Sequence, residues 1–280
     1  MSSDDIFELL TLMMDGAGQE ISATGPAAKP GVPVVRALER GIVLMRAFSA
    51  AQPRRTLTEL ARSADLDKGT TRRLLHTLQV AGLVEHDTRS GLYALTVGLL
   101  EIASAVDTGR ELREVAAPYL GDLADRIGAT SFLWIPHEGM GLCVERVRAA
   151  IPNVDAPWFT VGTRTALNCG GGPRVLLAYM STEDQDHALA QPLPKRTPMS
   201  VTDPEALRKV AQRVREQGYE FAVDDFVLGL AGLGVPIFGH DGRFAGSLSI
   251  SGLTEAIRSE LDRNIALLRE AARAIGRKII

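Results

Sequence analysis

Two cysteines, Cys143 and Cys169, in a chain of 280 residues are too few for a disulfide framework or a cysteine-built metal site. A reducing compartment, the cytoplasm, is the expectation. The opening MSSDDIFELL has no basic stretch of the kind that starts a secretory signal, and no apolar run approaches the ~20 residues a membrane helix needs. Histidine is scarce: His76, His86, His137, His187 and His240 are the five, and none stands at a spacing that would make a metal site or a base for a Cys169 thiolate. The sequence therefore predicts no metal, no cofactor and no catalytic residue. A thiol-dependent hydrolase using Cys169 is the competing enzyme class, and a small buried cysteine is the simpler reading.

What is present centres on residues 56–95, TLTELARSADLDKGTTRRLLHTLQVAGLVEHDTRSGLYAL, which read as a helix-turn-helix followed by a β-hairpin wing. Thr56 and Glu59 have the spacing of a capping box, with Leu57, Leu60 and Ala61 on the buried side of the supporting helix. Asp67 caps a second helix from Lys68, on which Thr71, Leu74, Leu75 and Leu78 form the apolar stripe and Gly69, Arg72, Arg73 and His76 the opposite face. A short helix that is core on one side and cationic on the other suits the major groove of double-stranded DNA. Lys68, Thr70, Thr71, Arg72 and Arg73 are the contact candidates, joined by Arg89 at the tip of the wing, between strands at 83–86 and 92–95. From Val34 to Gly98 there are ten Lys and Arg against six Asp and Glu, a balance of +4 that leaves −7 for the rest of a chain whose net charge is −3. The basic segment supplies an electrostatic footprint for DNA, and the acidic remainder limits non-specific sticking.

The rest of the chain is legible by pattern. Residues 1–33 read as a mobile tail, with Ile6, Leu9, Leu10 and Met13 at helical spacing before a Gly, Ala and Pro-rich linker. Residues 34–95 form the DNA-binding domain, opening on a helix from Val34 to Phe48 with Val35, Leu38, Ile42 and Met45 expected inside. Residues 96–110 are a linker helix, and 111–280 an α+β domain. Its expected helices are 111–127, 174–180, 205–217 and 254–279, and its strands 130–136, 141–148, 159–162, 220–223, 234–238 and 244–250.

The site-like stretch of this second half is Asn168-Cys169-Gly170-Gly171-Gly172-Pro173, where consecutive glycines allow close backbone approach and Pro173 fits the first turn of a helix. A helix start of that kind suits a small anion. A second stretch, Asp224-Asp225 with Gly229, Gly232 and Gly234, leads to a strand on which Ser247, Ser249 and Ser251 share one face and can line a polar pocket.

The chain resembles the IclR family of bacterial transcriptional regulators from about residue 34 onward. The carriers are VRALERGIVLMRAF, LTELARSADLDKGTTRRLLHTLQVAGLVE, GLYALTVGLL, VGTR, GGGPRVLLAYM, VREQGYEFAVDD, GLAGLGVPIF and GSLSISG. The resemblance implies a winged helix-turn-helix, a linker helix and a C-terminal GAF-like effector-binding domain, assembled as homodimers or tetramers on palindromic operators. It also implies a small carboxylate or aromatic acid as effector. Carried over by position, the effector-binding places are Gly171, Gly172, Asp224, Leu230, Gly232, Ser249 and Ser251. The chain departs from the usual family pattern at Pro173-Arg174 and Asn168-Cys169. A GAF-type sensor acting through protein partners is a third class, separated from the first by promoter binding.

Overall fold

The computed structural model describes residues 33–49, 52–106, 110–150 and 158–279, so the apolar stripe of the tail lies outside the described residues. The chain divides into two compact units between residues 107 and 108.

In the first unit, α1 (Arg36–Arg46) leads through β1 (Arg54–Thr56) to α2 (Leu57–Ser63) and α3 (Lys68–Val80), then to the wing strands β2 (Val84–Asp87) and β3 (Leu92–Leu95) and to α4 (Gly98–Ala103). Both caps form as the residue types dictate. The Glu59 amide donates to Thr56 Oγ1 at 3.3 Å while the Thr56 amide donates to the Glu59 carboxylate at 2.7 Å, and the Thr70 amide donates to Asp67 Oδ1 at 2.8 Å. These bonds hold the Glu59 and Asp67 carboxyls below their usual range. Leu44, Phe48, Leu60, Leu75, Val84 and Tyr93 close the core.

Three expectations change here. The first helix buries Gly41 and Leu44, with Phe48 just beyond, and turns the expected inner stripe outward: Leu38 is 64% exposed and Val35 65%. Two adjacent stripes on α1 are both spaced for burial, and the single partner layer inside this unit covers one of them. The wing has a third strand, since β1 pairs antiparallel with β3, and Arg54-Arg55-Thr56 carries no apolar alternation to announce it. Of the expected linker helix at 96–110, residues 107–109 lie outside the described residues, and α4 occupies Gly98–Ala103, with Val97, Leu100, Ile102 and Val106 exposed.

The second unit is one antiparallel sheet with helices on both faces. In chain order it comprises α5 (Arg110–Ile127), β4 (Thr130–His137), β5 (Met140–Val147), β6 (Arg164–Thr165), α6 (Gly171–Tyr179), α7 (Thr182–Leu189), α8 (Pro204–Gln217), β7 (Glu220–Val223), β8 (Leu230–Phe238), β9 (Phe244–Leu253), α9 (Thr254–Ser259) and α10 (Leu261–Gly276). The strand order is β6-β5-β4-β9-β8-β7. Period-2 alternation divides each strand: Leu133, Leu233, Val235, Leu248 and Ile250 face α5 and α10, whereas Phe132 and Trp134 join Leu176, Leu207 and Val214 on the other side.

Here too some expectations move. Residues 159–162 make a turn rather than a strand, because the Thr160 amide donates to Thr163 Oγ1 at 3.0 Å and Gly162 takes φ +88°. The edge strand is instead Arg164–Thr165. The long C-terminal helix breaks at Glu260 into α9 and α10. Helix α7, capped by Ser181, is additional. Helix α6 begins at Gly171, which places Pro173 at its third position rather than its first.

Candidate DNA-reading face and effector cavity

On α3 the division of faces is sharp. Thr71 and Leu75 are fully buried, and Lys68, Gly69, Arg72, Arg73 and His76 are exposed. Thr70 is half-buried, with Arg73 Nη2 donating to its hydroxyl at 3.4 Å. Thr71 leaves the set of contact candidates: its hydroxyl donates to the Asp67 carbonyl at 2.9 Å inside the helix, and the residue is fully buried. Arg89 is exposed on a turn stiffened by Asp87, whose carboxylate accepts the Arg89 amide at 2.9 Å and the Ser90 hydroxyl at 2.7 Å. Arg54 on β1, exposed as well, adds a cation that sequence reading missed. Removing Arg89 by Arg89→Ala is expected to lower affinity for all DNA sequences alike, and to flatten the log-log salt dependence of binding by roughly one unit. A slope equal to wild type would mean that the wing tip points away from the duplex.

In the second unit, six of the seven expected effector residues converge. Gly171, Gly172, Leu230, Gly232, Ser249 and Ser251 line one cavity of about 40 Å³. The missing member is Asp224. Its backbone sits in the left-handed region at φ +58°, its carboxylate accepts the Gly229 amide at 2.7 Å, and it braces the loop before β8. The reversal of direction at Asp224 delivers its neighbour instead, and Asp225 lines the cavity.

The glycines act differently from the expectation as well. A Cβ on Gly171 would stand 2.6 Å from the Gly232 carbonyl oxygen, and one on Gly234 would stand 2.6 Å from the Gly171 carbonyl carbon. Helix α6 therefore rests its first turn directly on the backbone of β8. The Gly172 position is closed by Trp134, whose indole N–H donates to Ser249 Oγ at 3.1 Å.

The anion seat at this helix start is filled by the protein itself. The Gly170 amide donates to Asp225 Oδ2 at 2.9 Å, and Arg174 Nη2 stands 3.0 Å from the same oxygen. Arg174 also pairs with Glu220 at 3.0 Å, and Glu220 in turn with Arg213 at 2.7 Å. Burial raises the Asp225 carboxyl above its ordinary value, against the opposing pull of Arg174. Much of the remaining wall is aromatic: Phe132, Trp134, Trp158, Phe159 and Phe226 all line the cavity, with Pro173, Val227, Ala231 and Ile250 beside them. These rings come from three separated segments, and only the Phe132 and Trp134 alternation on β4 could have signalled them.

Both thiols are unsuited to nucleophilic work. Burial pushes Cys143 up to about 12 and Cys169 up to about 11, so both stay protonated near neutrality. Among the described residues no group of three or more His, Cys, Asp or Glu is placed to hold a metal ion, and no helix is long and apolar enough to cross a membrane.

Residues 37–88 match the IclR helix-turn-helix domain, and residues 104–277 match the family described as bacterial transcriptional regulator IclR C-terminal. The chain belongs to the IclR family. Among curated IclR relatives, the glycerol operon regulatory protein of Streptomyces coelicolor is 30% identical, the match covering 88% of this chain and 96% of that one. The HTH-type transcriptional regulator XynR of Escherichia coli is 25% identical over the same shares, 88% and 96%. A solved IclR homolog from Microbacterium hydrocarbonoxydans, complexed with 4-hydroxybenzoate, is 26% identical with a TM-score of 0.76, covering 86% of this chain and 98% of that one. Like these IclR relatives, the chain is a DNA-binding transcriptional regulator and not an enzyme.

Proposed function

We propose that this IclR regulator works in the cytoplasm, binds a palindromic operator as a homodimer or a dimer of dimers, and changes its DNA affinity when a small organic effector enters the cavity between α6 and the sheet. The observation that carries the DNA half is α3, whose cationic face is exposed while its opposite face is sealed in the core. Exposed apolar residues at the start of α1 (Val35 and Leu38) and on α4 (Leu100 and Ile102) offer the kind of surface a second copy covers. The effector half rests on the cavity, with its aromatic walls, Ser249, Ser251 and a charged group. The Microbacterium relative with 4-hydroxybenzoate supports an aromatic effector as one class. Regulation requires the effector to bind the DNA-competent and DNA-incompetent states unequally, with coupling through the region of α4.

Arg72→Ala and Arg73→Ala test the DNA half. Each is expected to weaken operator binding while the oligomer persists. The one that reads guanine should lose about 1–3 kcal/mol and relax specificity at one position per half-site. Binding curves for both variants that overlay wild type at moderate salt would remove α3 as the reading element.

A further inference from the structure

The cavity is small for the ligands its walls suit. Its volume of about 40 Å³ compares with roughly 150 Å³ for a cavity that takes benzene, so a ring-bearing effector enters only where part of the wall gives way. Most of that wall is fixed. Helix α6 rests on the backbone of β8, where a Cβ on Gly171 would stand 2.6 Å from the Gly232 carbonyl oxygen. Phe132 and Trp134 lie on β4, and Ser249, Ile250 and Ser251 on β9, strands paired on both sides within the sheet, and the Trp134 indole is tied to Ser249. Asp225 is held by the Gly170 amide and by Arg174.

Of the five rings, Phe132, Trp134 and Phe159 are buried, whereas Trp158 and Phe226 are half-buried. The backbone around Phe226 is pinned: the Thr197 hydroxyl donates to the Asp224 carbonyl and the Ser200 hydroxyl to the Asp225 carbonyl, both at 2.6 Å, and the Leu230 amide donates to the Val227 carbonyl at 3.2 Å. The Phe226 ring is free to turn while its loop stays in place. Within the lining it meets Phe159 at 4.7 Å and stacks on Trp158 at 5.9 Å, and Arg196, which does not line the cavity, lies over it at 4.7 Å. A change of rotamer carries the ring outward and gives up these contacts. The space it leaves is that of a phenyl group flanked by Trp158 and Phe159, so an entering aromatic ring restores both stacking contacts, and the contact with the guanidinium is the one that is lost.

Resting on the cavity as effector site, we propose that the Phe226 ring is a placeholder for the ring of an aromatic effector. It occupies the effector's seat, swings outward when the effector enters, and is kept in until then by Arg196, a positioning residue. The measured affinity is therefore the intrinsic affinity reduced by the fraction of molecules whose ring is out. Whatever loosens the ring tightens binding. A fixed wall would behave in the opposite way, since trimming it removes contacts with the ligand.

Calorimetry on the full chain decides this with benzoate and phenol, which share a ring and differ in charge. Wild type should bind both, and Phe226→Ala, which removes the placeholder, should tighten both roughly tenfold or more. Arg196→Ala keeps the ring and removes its cover, so it should tighten both about two- to fivefold, the worth of an exposed cation–π contact. In the Phe226→Ala background the same arginine change should have no effect, because no ring remains to be held. Equal or weaker binding by Phe226→Ala, or binding by that variant and none by wild type, overturns the placeholder and leaves the cavity as effector site. An Arg196→Ala protein that binds both probes as wild type does, or loses benzoate alone, overturns the holding role of the arginine. If neither probe binds wild type or any variant up to millimolar concentration, the aromatic-effector reading falls and the placeholder with it.

Discussion

Gly171→Val is expected to destabilise the whole effector unit rather than to remove a ligand contact alone. The added Cβ alone would lie 2.6 Å from the Gly232 carbonyl oxygen and 2.7 Å from the Gly234 amide nitrogen, and neither backbone atom belongs to a side chain that can swing away. Helix α6 would have to lift from β8, breaking a contact on which Leu176 and Leu177 depend for burial. Overpacking of this kind costs about 3 kcal/mol, which for a unit of this size lowers the midpoint of thermal unfolding by roughly 6–12 °C. The control is Gly121→Ala on α5, where nothing lies within 4 Å of the new methyl, and its effect should be neutral or slightly stabilising. A Gly171→Val protein that melts with wild type would show that the glycine seam tolerates a side chain and that its glycines are there for another reason.

The second large effect is expected from Arg174→Met. The guanidinium donates to the Asn168 carbonyl at 2.9 Å and pairs with Glu220 and Asp225, so the thioether leaves two buried carboxylates with one half-exposed partner between them. Removing one member of a buried ionic set costs about 3–5 kcal/mol near neutral pH. The pH dependence has a definite sign. A carboxyl raised in the folded state favours folding below its unfolded value, and that contribution is lost as pH rises through the folded value. The Asp225 carboxyl is already raised by burial, and without Arg174 it rises further. Urea unfolding should accordingly show a deficit that narrows as pH is lowered from neutrality, because Asp225 takes up a proton and no longer needs a partner. A deficit of constant size over this range would mean that the loss comes from packing of the arginine stem and not from charge.

The parts of this protein that were readable from sequence are those specified locally. Thr56 with Glu59, and Asp67 with Thr70, mark helix starts because a cap needs only residues three apart. Thr71 obeyed the same local rule, since its spacing with Leu74, Leu75 and Leu78 placed it inside. Treating it as a DNA contact set residue type above periodicity, and the core position prevails. Helix α1 was ambiguous because Leu38 and Ile42 form as good a stripe as Gly41 and Leu44, and only the position of the neighbouring helices chooses between them. The cavity was half legible. Glycine and serine positions marked the approach of α6 to β8 and β9, but the choice of Asp225 over Asp224 depends on one backbone angle at the start of a loop, and the aromatic walls depend on residues 132–134, 158–159 and 226 meeting in space.

One consequence of those walls is optical. The chain holds two tryptophans, Trp134 and Trp158, and both border the same cavity. All indole emission of the protein therefore originates at the rim and floor of that one space, and the DNA-binding unit is dark at indole wavelengths. An occupant that displaces water from the rings alters their polarity and the emission colour without any attached label. Operator DNA, which touches neither indole in the proposed mode, can change that colour only by altering the cavity from a distance. The unlabelled protein thus carries its own gauge of communication between DNA and effector.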